Sequence, residues 1–215
     1  MSWSLNEVEG LSRRATRGAG LSWGLAEDAG RAIRWICAMG LPGADALARV
    51  LTEIDGAEYE RIAPRDLGPE WRAPGERLCP LVAGAALCDM AGTLAEGAGI
   101  SLFDVPQPLL LYPYLAAASD MTGCALRLSW EDTVLTRHAR VTYLQSDAPD
   151  AAFAARVDVA RAPGEPLGRP ARRAWRGDIS TDTARILGDF ARRTYAPETD
   201  ARRMAGAGAG LTDND

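Results

Sequence analysis

The residues of this sequence that could do chemistry together lie between Trp23 and Arg34. At about 100° per residue, a helix over this stretch places four side chains on one stripe: Trp23, Glu27, Arg31 and Arg34. Glu27 and Arg31 are four residues apart, the favoured order for a helical ion pair. Arginine binds carboxylate or phosphate through paired hydrogen bonds, and a tryptophan wall excludes water. The pattern therefore predicts an anion site, with Glu27 or Asp28 as a candidate catalytic acid or base.

Two interpretations of this stripe stay open. Exposed helices commonly carry such ion pairs, so the stripe is also compatible with an ordinary solvated face. A second tryptophan, Trp35, lies at the edge of the stripe together with Asp28. Two tryptophans beside a polar stripe are unusual for a surface that only contacts water, and this favours the anion site.

The helix that must position these residues has clear boundaries in the sequence. Ser22 is a suitable N-cap, because its hydroxyl can accept a hydrogen bond from a free amide of the first turn. Glu27 and Asp28 are expected near the positive end of the helix dipole. Gly40 suits the left-handed position after the helix, and Pro42 blocks its continuation. The predicted buried stripe consists of Leu25, Ala29, Ala32, Ile33 and Ile36.

Composition excludes several classes of function. The chain has 215 residues and a net charge of −5, which argues against nonspecific binding to nucleic acid. All 24 basic residues are arginines, so a phosphate-loop lysine and a lysine Schiff base with pyridoxal phosphate are both excluded. No cofactor is indicated. The longest apolar run, residues 108–119, is too short to span a membrane.

The cysteines and the single histidine indicate no metal or redox site. Cys37, Cys79, Cys88 and Cys124 form no CxxC pair, and we expect all four to be reduced and buried. His138 cannot form a multi-histidine metal site by itself, and no nucleophile motif lies near it, which favours a surface histidine. No secretory signal pattern is visible, so a cytoplasmic location is expected.

The remaining chain predicts an α+β fold, in which an N-terminal helical cluster packs on a mainly antiparallel sheet, followed by a C-terminal helix. A capping box at Ser4 and Glu7 begins the first helix, and Asp45 is the predicted cap of the third. Prolines at high density predict an irregular crossover over residues 57–80. Residues 109–112 are a candidate buried strand, and alternation over residues 126–159 predicts an antiparallel meander.

We predict one globular domain over residues 1–197 and a Gly/Ala-rich acidic tail over residues 198–215. Three stretches carry a family resemblance: Ser4-Leu-Asn-Glu-Val-Glu9, Gly18-Ala-Gly-Leu-Ser-Trp-Gly-Leu-Ala-Glu-Asp-Ala-Gly30 and the end from Ala205 to Asp215. With these, the whole chain resembles the DUF3726 family, a bacterial family of unassigned function. The resemblance implies no catalytic residue, substrate or cofactor. It implies that the tail is part of the folded domain, and we expect the tail to dock on the body of its own or of a neighbouring chain.

Two functional hypotheses of different class follow. The first is a small-molecule metabolic enzyme that uses Glu27 or Asp28 as acid or base and holds an anionic substrate with Arg31 or Arg34. The second is a noncatalytic metabolite-binding or accessory subunit that uses the same arginine and tryptophan face. A homo-oligomer is compatible with either hypothesis. A concave site with converging polar groups would favour the enzyme, and a flat apolar face would favour binding to a partner.

Overall fold

The structure, a computed structural model, describes residues 1–146 and 149–195. Three consecutive helices open the chain, as predicted: α1 (Leu5–Gly18), α2 (Trp23–Cys37) and α3 (Gly43–Glu53). The capping box of α1 is confirmed, since Ser4 and Glu7 exchange hydrogen bonds between side chain and backbone. The predicted tail, residues 198–215, lies outside the described residues.

Helix α2 has the predicted cap and buried face. The Ser22 hydroxyl accepts a hydrogen bond from the Leu25 amide, and Gly40 has the expected positive φ of 71°. Ala29, Ile33 and Ile36 are buried, whereas Leu25 is only partly buried. A Cβ atom at Gly30 would lie 3.0 Å from the Glu9 carbonyl oxygen, so α1 and α2 are in close contact there.

Four local predictions are wrong. The crossover over residues 57–80 contains two short regular elements, α4 (Tyr59–Ile62) and β2 (Glu70–Trp71). The predicted strand at residues 109–112 is a 3-10 helix over Pro108–Leu111 that runs into α7 (Tyr112–Thr122). Asp45 does not cap α3 but lies in its first turn, where it accepts a hydrogen bond from the Thr183 hydroxyl.

The fourth wrong prediction concerns the two acidic residues near the start of α2. Glu27 and Asp28 follow its first turn, which therefore contains no acidic residue, and the helix dipole acts on them less than expected.

The remaining helices are α5 (Pro80–Asp89), α6 (Ala91–Ala95) and α8 (Thr181–Arg192). Helix α7 packs against α5 and α2 on one side and against the sheet on the other, while α8 packs on α1 and α3. One cluster of buried apolar side chains runs through these helices and the sheet.

The predicted α+β architecture is confirmed. The further strands are β1 (Ser2–Ser4), β3 (Ile100–Pro106), β4 (Leu126–Trp130), β5 (Thr133–His138), β6 (Val141–Gln145), β7 (Phe153–Arg161), β8 (Arg169–Pro170) and β9 (Arg176–Asp178). Within the described residues, seven strands form one sheet in the order β2-β3-β7-β4-β5-β6-β8, where β2 and β3 are parallel and the other neighbours antiparallel. A separate antiparallel pair joins β1 to β9.

Helices α5 and α7 touch at Gly84, which gives a test of this packing. A Cβ atom at Gly84 would lie 2.3 Å from Cδ2 of Tyr114, a contact that requires movement of a buried ring. We expect Gly84→Ala to lower the free energy of unfolding by about 1–3 kcal/mol, the usual cost of overpacking a core.

Chemical denaturation measures this change, and Gly188→Ala in α8 is the control. Apart from the surrounding helix backbone, no atom of residues 1–146 and 149–195 lies within 4 Å of a Cβ added at Gly188, so that helical substitution should stabilise the protein by about 0.5–1 kcal/mol. Equal stability changes for the two variants would contradict the close contact between α5 and α7.

Candidate functional site

Trp35 separates two clefts on the surface of the protein. Its ring packs on Tyr112, with ring centroids 5.4 Å apart and planes tilted by 57°. The Tyr112 hydroxyl in turn donates a hydrogen bond of 2.8 Å to the Thr136 carbonyl oxygen, which ties this aromatic pair to β5. Trp35 and Arg31 line both clefts. These two side chains of α2 therefore contribute to both clefts.

The first cleft is lined by arginines, and we call it the basic cleft. Its volume is about 550 Å³, and Leu5, Met39 and Val141 contribute apolar walls. The arginines come from three parts of the chain: Arg31 and Arg34 from α2, Arg137 and Arg140 from the hairpin of β5 and β6, and Arg172 and Arg173 from the segment before β9. No Asp or Glu of the described residues lines it.

Three of these guanidinium groups have ionic partners. Arg137 makes a two-pronged pair with Asp120, with N–O distances of 2.9 and 2.7 Å. Arg34 lies 3.4 Å from a Glu9 carboxylate oxygen, and Arg31 lies 2.5 Å from Asp28.

The other three are Arg140, Arg172 and Arg173, and none of them forms a salt bridge with a residue in the ranges 1–146 and 149–195. Arg173 lies over the exposed Trp175 ring, at 4.4 Å from its centroid. The basic cleft therefore holds positive charge that nothing in the described structure neutralises by direct contact.

Arg140 is placed by a strained turn. The pair between His138 and Val141 leaves a two-residue hairpin loop, in which Ala139 and Arg140 have positive φ values of 47° and 65°. Such loops match the twist of the strands, but they favour Asn and Gly because other side chains are disfavoured at positive φ. Backbone strain of this kind often accompanies functional sites.

The second cleft carries the opposite charge, and we call it the acidic cleft. Its volume is about 560 Å³, and its charged residues are three carboxylates and one guanidinium: Asp28, Asp89, Asp120 and Arg31. Burial, together with the nearby Asp28 and Asp89 carboxylates, raises the pKa of the Cys88 thiol to about 11. Burial likewise raises the pKa of Tyr114 far above its usual range. Both groups are therefore neutral at physiological pH.

The structure divides the residues that the sequence analysis grouped together. Arg31 and Arg34 line the basic cleft, and Asp28 and Arg31 line the acidic cleft. Glu27 is exposed and lines neither cleft. The expected ion pair of Arg31 with Glu27 is wrong, because Arg31 pairs with Asp28.

Trp23 also lies outside both clefts. Its side chain is 58% exposed at the start of α2, and the Arg17 guanidinium lies 5.3 Å from its ring centroid. The stripe is thus exposed as expected, but its Trp23 end, about three turns from Arg34, lies apart from the clefts.

Sequence reasoning missed the part of the site that comes from distant segments. Arg137 and Arg140 lie in the meander, and Arg172 and Arg173 in the segment between β8 and β9. The sequence feature that could have indicated this part of the site is the pair of adjacent arginines, Arg172 and Arg173, in a stretch rich in proline and arginine. Asp120 gave no signal of its own, because its role depends on Arg137, which is 17 residues away.

His138 and the cysteines add no metal site. His138 is half-buried at the end of β5 and lines neither cleft. In the described ranges, no group of three or more His, Cys, Asp or Glu residues is placed to hold a metal ion. All four cysteines are free thiols, as expected, although Cys88 and Cys124 are only partly buried. No helix of residues 1–146 and 149–195 has the length and apolar character needed to cross a membrane.

The pair between Arg137 and Asp120 should contribute to stability as well as to the site. The two side chains are only 12% and 25% exposed, so removing one partner leaves a poorly solvated charge. We expect Arg137→Ala to lower the free energy of unfolding by about 1.5–3 kcal/mol, measured by urea denaturation.

The matched control is Arg192→Ala, which removes an exposed pair with Asp189 and should change stability by no more than about 0.5 kcal/mol. A loss for Arg137→Ala as small as that of the control would show that the pair is energetically unimportant.

The raised pKa of Cys88 predicts slow alkylation. At pH 8 a thiol with a pKa of about 11 is ionised to roughly one part in a thousand, and only the thiolate reacts. Iodoacetamide should therefore label Cys88 roughly 20-fold more slowly in the native protein than in guanidinium chloride, as followed by peptide mass spectrometry, because the lower thiolate fraction is partly offset by the greater nucleophilicity of a more basic thiolate. The native rate should rise as the pH increases from 9 to 11. Rapid native labelling at pH 7 would instead identify a reactive thiol.

Comparison with known proteins gives a family match to the N-terminal part of the chain. A search of curated proteins found no match. The model of the DUF3726 family, described as a protein of unknown function, matches residues 3–79. The matched range contains the motifs that begin at Ser4 and at Gly18. It also contains helix α2, and therefore Arg31, Arg34 and Trp35. Arg137, Arg140 and the motif at the end of the chain fall after the match. The resemblance of this chain to the DUF3726 family is thus confirmed over residues 3–79, for a family of unknown function.

Proposed function

We propose that the basic cleft binds a small anionic metabolite through its carboxylate or phosphate groups. The observation that carries the proposal is the convergence of six arginines on one cleft whose described lining contains no carboxylate. Arginine guanidinium groups match the geometry of carboxylate and phosphate, and they bind both through paired hydrogen bonds.

The unpaired arginines give the cleft its capacity for a ligand. Arg140, Arg172 and Arg173 lie near Arg34 and Arg137 around one volume, so like charges repel there in the absence of an anion. An anion would relieve this repulsion and form charge-assisted hydrogen bonds. The apolar walls and the Trp35 ring would exclude part of the water and strengthen those bonds.

Binding without catalysis is the better-supported of the two hypotheses. An enzyme that used Glu27 as acid or base would need this side chain in the cleft, and Glu27 lines neither cleft. Asp28 pairs with Arg31 and faces the acidic cleft. We therefore propose a metabolite-binding or accessory protein. Its net charge of −5 favours a small metabolite over nucleic acid, and its four free thiols fit a cytoplasmic location.

Calorimetric titration with phosphate and with succinate tests the anion site. We expect one or both to bind the unmodified protein, and Arg34→Ala and Arg140→Gln to weaken that binding about tenfold or more. The reason is the loss of charge-assisted hydrogen bonds worth about 1.5–3 kcal/mol. The control is Arg127→Gln, which removes an exposed arginine of β4 that lines neither cleft.

The control variant should bind with unchanged affinity, and all variants should be compared at one ionic strength. Equal affinity for the unmodified protein, Arg34→Ala and Arg140→Gln would reject the basic cleft as the binding site. Absence of binding for both anions would reject the proposal as stated.

A further inference from the structure

The acidic cleft, which adjoins the basic cleft at Trp35, has no part in the function proposed above. We propose that the ligand is dipolar: its carboxylate or phosphate lies in the basic cleft, and a primary ammonium group on the same molecule lies in the acidic cleft. The inference rests on the proposed function and names the class of ligand as amino acids or related amines that also carry an anionic group.

Among the described residues, one carboxylate of the acidic cleft forms no salt bridge. Asp28 pairs with Arg31 and Asp120 pairs with Arg137, whereas Asp89 is exposed and has no salt bridge to the described part of the chain. Asp89 is the last residue of α5, where the carbonyl end of the helix dipole adds to the negative potential. A charge at this position opposes helix stability and favours a cation in the cleft.

Tyr114 is an independent sign that the acidic cleft accepts a polar group. Tyr114 lines the cleft and is 95% buried, and its hydroxyl has no hydrogen-bond partner within the described structure. A buried polar atom without a partner is costly, and native structures rarely keep one unless a water or ligand satisfies it. The neutral hydroxyl can accept a hydrogen bond from an ammonium N–H.

Arg31 and Trp35 connect the two clefts. Since both side chains line both clefts, a ligand that passes along Trp35 can place opposite charges on its two sides. The tryptophan face is also favourable for a cation. An organic ammonium fits better than a metal ion, because no group of three or more metal-ligating residues is assembled in residues 1–146 and 149–195.

A series of simple ligands distinguishes this inference from the proposed function. The probes are β-alanine, 4-aminobutyrate and 6-aminohexanoate as dipolar ligands of increasing length, succinate as a dianion and 1,4-diaminobutane as a dication. Calorimetric titration of the full chain should show at least one dipolar probe binding about tenfold more tightly than succinate and 1,4-diaminobutane, because only a dipolar probe matches both clefts.

Asp89→Asn tests the acidic cleft directly. The substitution should lower the affinity for the best dipolar probe about tenfold, because a charge-assisted hydrogen bond to its ammonium group is lost. The affinity for succinate, which has no ammonium group, should stay within twofold of the unmodified protein. Because Asp89 is exposed at a helix C-terminus, the thermal midpoint should be unchanged or higher. The control is Glu96→Gln, an exposed acid at the C-cap of α6 that lines neither cleft and should alter no affinity.

The outcomes separate the two ideas. If succinate binds and Arg140→Gln removes that binding, but no dipolar probe binds more tightly and Asp89→Asn has no effect, the dipolar ligand is rejected while the anion site stands. If none of the probes binds, the dipolar ligand is rejected, and the anion site is rejected with it when phosphate also fails to bind. If a dipolar probe binds more tightly and its binding depends on Arg140 and on Asp89, the result supports the anion site and the dipolar ligand.

Discussion

The two-pronged pair between Arg137 and Asp120 is the interaction on which the site depends. It joins β5 to α7 in a place where both side chains are largely shielded from water, so neither charge is tolerable without the other. The Arg137 guanidinium also lies 5.7 Å from the centroid of the Trp35 ring. One arginine therefore fixes a helix against a strand and supports the aromatic side chain that divides the clefts. It faces the basic cleft, while Asp120 faces the acidic cleft.

The half of the site on α2 was predictable because helix geometry is local. Ser22 and Gly40 mark its ends, and the periodic burial of Ala29, Ile33 and Ile36 leaves Arg31 and Arg34 exposed on the other side. Local geometry could not decide between Glu27 and Asp28 as the partner of Arg31, since residues three and four apart are both neighbours on a helix. The other half could not be predicted, because Arg140 and Arg172 reach the cleft only through the pairing of distant strands.

The errors in the fold have similar causes. Leu109, Leu110 and Leu111 are all buried, and a short apolar run of this kind has no periodicity that distinguishes a strand from a helix. Between residues 57 and 80 the prolines prevent long elements but permit a single turn of helix and a two-residue strand. Trp71 is fully buried there and donates a hydrogen bond to the Gly68 carbonyl oxygen. Trp71 anchors the crossover in the core. Its burial depends on contacts with residues distant in sequence, so it could not be predicted from the local sequence.

The pairing of β1 with β9 joins two segments that are distant in sequence, and residues of the basic cleft lie next to both strands. The Arg176 side chain donates hydrogen bonds to Ser2, 174 residues earlier in the chain. Leu5 lies just after β1, and Arg172 and Arg173 lie just before β9, so these cleft residues come together when the two strands pair. A molecule bound there would recognise only the completed fold, and its binding energy would resist separation of the two segments. A ligand in the basic cleft would thus stabilise the folded protein against unfolding.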